Sequence, residues 1–229
     1  MKIVLALLVL IGGAYALLLS KPALYFGQHA EYSGFTLRAR AAAPAGFETA
    51  LDAAREKLAA SEFFREDSSF ELVLAATPGE FKFFTPFQKG EYYRVSPLSG
   101  TVFVAAADFK AGEGKPAFGS GAPRQLGALL AGAAAVDLVR RNREKLSFMF
   151  MKDWLLNGYY EKIAGGTGAY APADACGDVS GDPALRDYKH GLMLDIILRE
   201  DNTGYGDLLG RNYSEEAAET RMRKIYCRG

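Results

Sequence analysis

The apolar positions of this chain begin as a block. Between Lys2 and Lys21 run seventeen uncharged, mainly apolar residues, Ile3 to Leu19. As a helix rising 1.5 Å per residue, this block reaches about 25 Å, enough for a thin bilayer with the flanking lysines snorkelling. Ala14-Tyr15-Ala16 fits the small-x-small rule of signal cleavage, but three leucines follow it and carry the apolar run past the cut. Residues 1–20 therefore read as an uncleaved transmembrane anchor, with a cleaved signal segment as the rival. No cysteine lies near the end of the run, so a lipoprotein anchor does not fit. Lys2 is a weak cue for a cytoplasmic N-terminus and Lys21 blunts it. The expectation is a body, residues 21–229, that faces the periplasm or exterior, or is secreted if the segment is cut.

After the block the period changes along the chain. Residues 25–46 read as an extended lead-in closed by a Pro/Gly break. In FETALDAAREKLAASEFF, Phe47, Leu51, Ala54 and Leu58 recur at helical spacing and predict an amphipathic helix. Phe70 to Thr77 predicts a strand, stopped by Pro78-Gly79. The aromatic-rich EFKFFTPFQKG is expected to cap the core. YYRVS and TVFVAAAD predict two more strands across the turn signal PLSG. KAGEGKPAFGSGAPR reads as a Gly/Pro loop whose Gly-Ser-Gly lacks the Lys-Ser/Thr of a phosphate loop.

From Gln125 to about Lys145 the pattern turns helical, with Leu126, Leu129, Leu130, Ala133 and Val136 on one face and a basic run at the C-terminal end. A second helix is expected from Phe150 to Ala164, stopped by Gly165-Gly166. A long loop follows, whose Asp178 and Asp182 do not match a calcium loop. LRDYKHGLMLDIILRED predicts another helix, and Ser214 caps a last one. Helix, then strands, then helices make an α+β domain with a small sheet and a helical C-terminal half.

Composition narrows the function classes. Twenty-seven basic and twenty-seven acidic residues cancel, so no global field favours nucleic acid, and a nucleic-acid partner is not expected. The two cysteines, Cys176 and Cys227, close a loop worth about 4 kcal/mol if they pair in an oxidising compartment. The alternative is two unpaired thiols, and spacing does not choose between them. With no CxxC and no Cys/His cluster, a structural zinc site has no ligands.

The succession RVSPLSGTVFVAAADF, a Gly-rich loop, LGALLAGAAAVDLVRRN and WLLNGYYEKIAGG resembles bacterial zincin-like proteins of the gluzincin type. The resemblance covers roughly Phe70 to Met222 and rests on order and spacing more than on identical residues. It implies a zincin-like domain in which one helix carries His-Glu-x-x-His and a second, of Trp-x-x-Glu-Gly-x-x-Glu-Tyr flavour, supplies a Glu ligand. Two His at i and i+4 grip one zinc, and the intervening Glu activates its water.

Laid on this chain, the pattern puts Ala133 and Asp137 at the His positions, Ala134 at the general base and Asn157 at the third ligand. Glu161 matches the second, supporting Glu. A slip of one residue gives Gly132 and Val136 instead, which is worse for metal. The chain thus departs from the family at each position that carries catalysis, and no metal or cofactor is expected. His29 and His190, its two histidines, do not pair at ligand spacing. Asp137 with Glu161 and His190 would make an unorthodox metal site, but Arg140 and Arg141 stand three and four residues from Asp137 as local ion-pair partners. There is no Gly-x-Ser-x-Gly elbow, and Asp195 and Glu200 sit on an ordinary solvated helix face.

The expected function is that of a pseudoenzyme: a non-catalytic, membrane-tethered extracytoplasmic domain that binds a peptide or protein by strand addition in a cleft near Phe103 and Tyr159. The alternatives are a hydrolase with an atypical metal site and a structural envelope protein.

Overall fold

The computed structural model describes the chain except residues 1, 87–89, 97–98, 119–120, 167, 212 and 228–229, and it leaves out the side chains of 2–3 and 145–146. The apolar block forms helix α1, Lys2–Ser20. Among the described residues no helix is long and apolar enough to cross a membrane. The side chains from Val4 to Ala14 are nevertheless exposed; Tyr15 is the first to meet the body, at Phe83, and Leu18 and Leu19 pack on it further along.

The lead-in is a hairpin rather than an open extension. β1, Gln28–Tyr32, pairs antiparallel with β2, Phe35–Ala39, and its end pair Tyr32 and Phe35 leaves a two-residue turn. Ser33 and Gly34 both have positive φ, 52° and 84°, which is the geometry that matches the twist of a tight hairpin. Helix α2, Phe47–Leu58, then carries the chain to β3, Phe70–Leu74, which lies parallel to β2. The predicted strand is correct in place but shorter, because Thr77 caps a new helix.

That helix is α3, Pro78–Phe84, where a mere aromatic cap was expected. Its start is built from local chemistry. The Thr77 side chain accepts from the Glu80 N–H, Pro78 occupies the first turn, and the Glu80 carboxylate accepts from the Ala76 N–H. The end of that aromatic segment, 87–89, lies outside the described residues.

β4, Tyr93–Val95, and β5, Val102–Val104, pair antiparallel; of the predicted turn PLSG between them, 97–98 lie outside the described residues. β5 lies parallel to β3, so the sheet order is β1-β2-β3-β5-β4. The run TVFVAAAD does not continue as one strand. Ala106–Asp108 is a separate strand, β6, and with β7, Glu113–Lys115, and β8, Arg124–Gln125, it forms a small antiparallel sheet. The segment read as a Gly/Pro loop therefore contains strand; part of its Gly-Ser-Gly, 119–120, lies outside the described residues.

Helices dominate from there: α4, Leu126–Arg141; α5, Lys145–Met149; α6, Asp153–Ala164; α7, Pro183–Glu200; α8, Tyr205–Leu208; and α9, Glu215–Tyr226. α6 stops where Gly165 turns left-handed, φ 82°, and its N–H returns to the Glu161 carbonyl. Asp182 caps α7 by accepting from Ala184 and Leu185, and Ser214 caps α9 by accepting from Ala217. Cys176 and Cys227 are joined in a disulfide that ties the loop before α7 to the end of α9.

Strand alternation splits the core into two layers. Leu37, Leu72, Val102 and Val104 point to the face covered by α2, α4 and, beyond them, α6 and α7. Val73 and Phe103 point to the other face, where Phe26, Phe81, Phe84 and the end of α1 cover them. The architecture is α+β.

Candidate functional site

Helix α4 lies where the resemblance locates catalysis. Its residues from Leu126 through Val139 are all buried, so it has no solvent face until Arg140. The sheet and α2 cover part of its surface, and α6 covers another. The small residues make these approaches possible. A Cβ on Gly127 would lie 2.6 Å from Ala53 Cβ. A Cβ on Gly132 would overlap the Tyr160 ring and come within 2.8 Å of the Tyr160 carbonyl. Ala133 and Ala134 are fully enclosed. The alanines are thus explained by close packing between backbones, which is the use of small residues at any tight helix crossing.

A zinc site does not fit here. The positions that the resemblance assigns to ligand and base, Ala133 and Ala134, have no side-chain donor atoms, and the α4–α6 crossing at Gly132 has no room for an imidazole. Asp137 is fully buried, with its oxygens taken by Arg140 Nε at 2.8 Å and Arg141 Nε at 2.7 Å. Arg141 also donates to the Ser69 carbonyl and lies over the Phe70 ring. Asp137 thereby fastens the end of α4 to the start of β3. Asn157 is half-buried on α6.

Glu161 belongs to a different assembly, one that local sequence reasoning missed. α6 and α7 cross at two glycines: a Cβ on Gly158 would meet the His190 carbonyl at 2.8 Å, and one on Gly191 would meet Glu161 Cγ at 2.8 Å. The crossing turns Glu161 inward, and Asp187, one turn before Gly191, shares that face. Between the two carboxylates stands Arg124, from β8. Arg124 Nη1 donates to Glu161 Oε2 at 2.6 Å, and its Nη2 lies 3.3 Å from both Asp187 Oδ2 and the Ala184 carbonyl. Its guanidinium plane is flanked by Tyr92 and Tyr160, each centroid 5.0 Å away. Tyr93 stacks on the far side of Tyr160, at 4.6 Å.

This centre joins the small sheet, α6 and α7 through one buried cation. Burial works against the Arg124 charge, but Tyr160, Glu161 and Asp187 outweigh it and raise its pKa. Asp187 has the opposite balance: burial exceeds the pull of Arg124 and Arg186 and lifts its carboxyl to about 7. Burial likewise pushes Tyr160 upward and Tyr92 to about 12. Arg124, Glu161 and Asp187 are all under 10 % exposed, so an arriving substrate does not reach them. The arrangement is a clamp: removing the cation would leave two carboxylates uncompensated, a change that costs about 3–5 kcal/mol in comparable buried pairs.

The atypical metal trio is not assembled. Asp137 is held by its arginines, Glu161 by Arg124, and His190 Nε2 faces Glu215 at 3.4 Å. Burial, then Arg186 and Lys189, lower the His190 pKa to about 4. Among the described residues no group of three or more His, Cys, Asp and Glu is arranged to hold a metal ion. His29 is exposed on β1. Asp195 pairs with Lys162 at 3.0 Å and Glu200 with Arg221 at 3.2 Å, both on the surface.

The expected cleft is not at Phe103 and Tyr159, and that placement is corrected. Phe103 is enclosed between Phe26 and Phe84, and Tyr159 stacks on Tyr205 and bonds Ser61 at 2.7 Å. Both are core residues. An open groove of about 280 Å³ lies instead beside α5, α6 and the turn after α8. Arg143, Lys152 and Arg211 line it together with Met151, Leu155 and Leu209. Phe150 stands at its edge, 83 % exposed. Lys152 donates to the Tyr213 carbonyl, and Arg211 lies 3.7 Å from Asp201.

Compared with family models, curated proteins and solved structures, the chain finds no match in any of the three.

Proposed function

We propose that the chain is a non-catalytic extracytoplasmic domain, tethered to a membrane by α1, that binds a peptide or protein partner in the groove at Phe150. The reading keeps the degenerate gluzincin-type fold as its frame: a sheet, a buried helix at the catalytic position, and a second helix crossing it. Three facts support the loss of catalysis. α4 has no open face, both Asp137 oxygens are taken by two arginines, and Glu161 is turned onto Arg124 through Oε2. The disulfide supports an oxidising compartment, because such bonds persist outside the cytosol. The exposed leucines of α1 support a lipid contact or a signal segment.

The observation that carries the binding role is Phe150. A large aromatic left 83 % exposed beside an apolar floor and a basic rim is a surface for a partner. None of the nine lining residues is acidic, so the complementary ligand is an acidic peptide with apolar side chains.

The test is a fluorescence-polarisation titration of the full chain with an alternating Glu/Leu peptide against its Lys/Leu counterpart. The Glu/Leu peptide is expected to bind more tightly, and Phe150→Asp to weaken it by about tenfold or more. Equal binding of both peptides, or an unchanged Phe150→Asp variant, would refute the groove. Elemental analysis after zinc loading and desalting addresses catalysis separately: about one tightly held metal per chain would restore the hydrolase alternative.

A further inference from the structure

The end of α1 does not leave the domain as a free tether. Tyr15 Oη donates to the Phe83 carbonyl at 2.7 Å, and the two rings meet edge to face at 5.0 Å. Leu18 and Leu19 pack against the core layer that contains Phe26 and Phe84. Contacts then run without a break from Phe83 to Phe84 and from Phe84 to Tyr25, each at 5.0 Å between centroids. A continuous aromatic path therefore joins α1 to α3 and to the 3-10 turn at Pro22–Leu24.

The outer side of this path is exposed and apolar. Leu24 is 62 % exposed, Phe83 47 % and Tyr25 42 %, although Phe83 and Tyr25 each adjoin a buried phenylalanine, Phe84 and Phe26. Lys21 and Lys82 are exposed beside them, while Arg40, over the Tyr25 ring, lies 3.5 Å from the Glu80 carboxylate that also accepts from Tyr25 Oη at 2.9 Å. Aromatic rings with a basic fringe next to an apolar helix are the chemistry of the membrane–water interface. The length of α1 points the same way. With Tyr15 against Phe83 and Leu18 and Leu19 packed on the body, the apolar part left to enter lipid is Ile3 to Ala14. It reaches about 18 Å against a hydrocarbon core of about 30 Å, so a chain held by it is drawn down until the face at Phe83 meets the bilayer.

We infer that Leu24, Tyr25 and Phe83 form a collar that sinks into the interfacial layer of the bilayer around α1, fixing the domain's orientation on the membrane. The inference rests on the anchor reading above. The lipid surface is the occupant because the collar is continuous with the exposed leucines of α1, through the Tyr15–Phe83 contact. The exposed Lys21 and Lys82 match anionic headgroups, while Arg40 is balanced by Glu80.

The experiment reconstitutes the full chain in phosphatidylcholine/phosphatidylglycerol vesicles whose lipids are brominated near the headgroup end of the acyl chains. The chain's one tryptophan, Trp154, is buried and serves as a constant background. Phe83→Trp and Leu24→Trp probe the collar, and Leu10→Trp probes α1. All three added tryptophans are expected to lose about half or more of their emission, as residues at the interface or within the apolar layer do. Quenching at Leu10→Trp without quenching at either collar position would overturn the collar and leave the anchor standing. No quenching at any of the three would overturn both. A collar tryptophan that shifts to the blue only as protein concentration rises, with no bromine effect, would assign the face to a second copy and also overturn the inference.

Discussion

Asp187 and His190 sit one turn apart on α7, and burial moves them in opposite directions. The Asp187 carboxyl is raised from its ordinary 3.8 to about 7, so between these values the folded chain holds a proton that the unfolded chain has released. Its contribution to stability is full below about pH 4 and is lost as pH rises towards 7. The His190 imidazole is lowered from 6.5 to about 4, so the folded chain refuses a proton that the unfolded chain takes. Its contribution is full above about pH 6.5 and is lost as pH falls towards 4. The two slopes oppose each other over one window. Relative to the parent, Asp187→Asn is expected to lose stability as pH falls across that window, and His190→Gln to gain it. Urea denaturation at several pH values reads both, and parallel curves for parent and variants would contradict the assignment. Neither shift was legible from composition or periodicity. Glu161 was singled out through the zincin pattern, but Arg124 lay in a segment read as loop, and its partners stand 37 and 63 residues away. The available signal was negative: a carboxylate interrupting apolar positions on each of two helices needs a buried cation.

At the level of elements, α4 controls the packing. Leu126, Leu129, Leu130, Ala133 and Val136 were enough to predict a helix because they repeat at 3.6 residues, yet one-sided amphipathicity understates a helix buried all round. What the period omits is carried by Gly127 and Gly132, whose missing side chains set how near α2 and α6 approach. Gly132→Ala improves helix propensity by up to about 1 kcal/mol, but its methyl group meets the Tyr160 ring and carbonyl. The collision is expected to win, with a net loss of about 1–3 kcal/mol in chemical denaturation. A stabilised Gly132→Ala would show that the α4–α6 crossing has slack. The shorter elements were harder to read for a related reason. α3 and the β1–β2 hairpin have their signals in single residues: Thr77, Pro78 and Glu80 for one, Ser33 and Gly34 for the other. An aromatic-rich composition hid the first and a polar, exposed edge hid the second.

Across the whole molecule, the sheet, α2 and the long helices follow from strand alternation and helical spacing, whereas the joins between layers do not. Those joins are long-range: the Asp137 cluster to β3, the Arg124 clamp across β8, α6 and α7, and the disulfide from the loop before α7 to the end of α9. The disulfide spans 51 positions and closes a loop containing α7, α8 and α9. Replacing both cysteines by serine is expected to remove about 4 kcal/mol in the chain-entropy model. The guanidinium midpoint under oxidising conditions measures it, with the reduced parent expected to match the double variant. An unchanged midpoint would mean that α9 is held by its side-chain contacts alone. Those contacts are few: Ala218 and Met222 are its buried residues, and Lys189–Glu219 and Arg221–Asp201 are its main polar ties.

The same bond separates the integrity of the backbone from that of the molecule. Between α7 and α9 the chain passes through exposed turns, with Asn202 at φ 46° and Gly204, Gly210 and Arg211 open to solvent. A protease that nicked this stretch would release nothing. The two fragments would remain one particle under non-reducing electrophoresis and would part on addition of thiol.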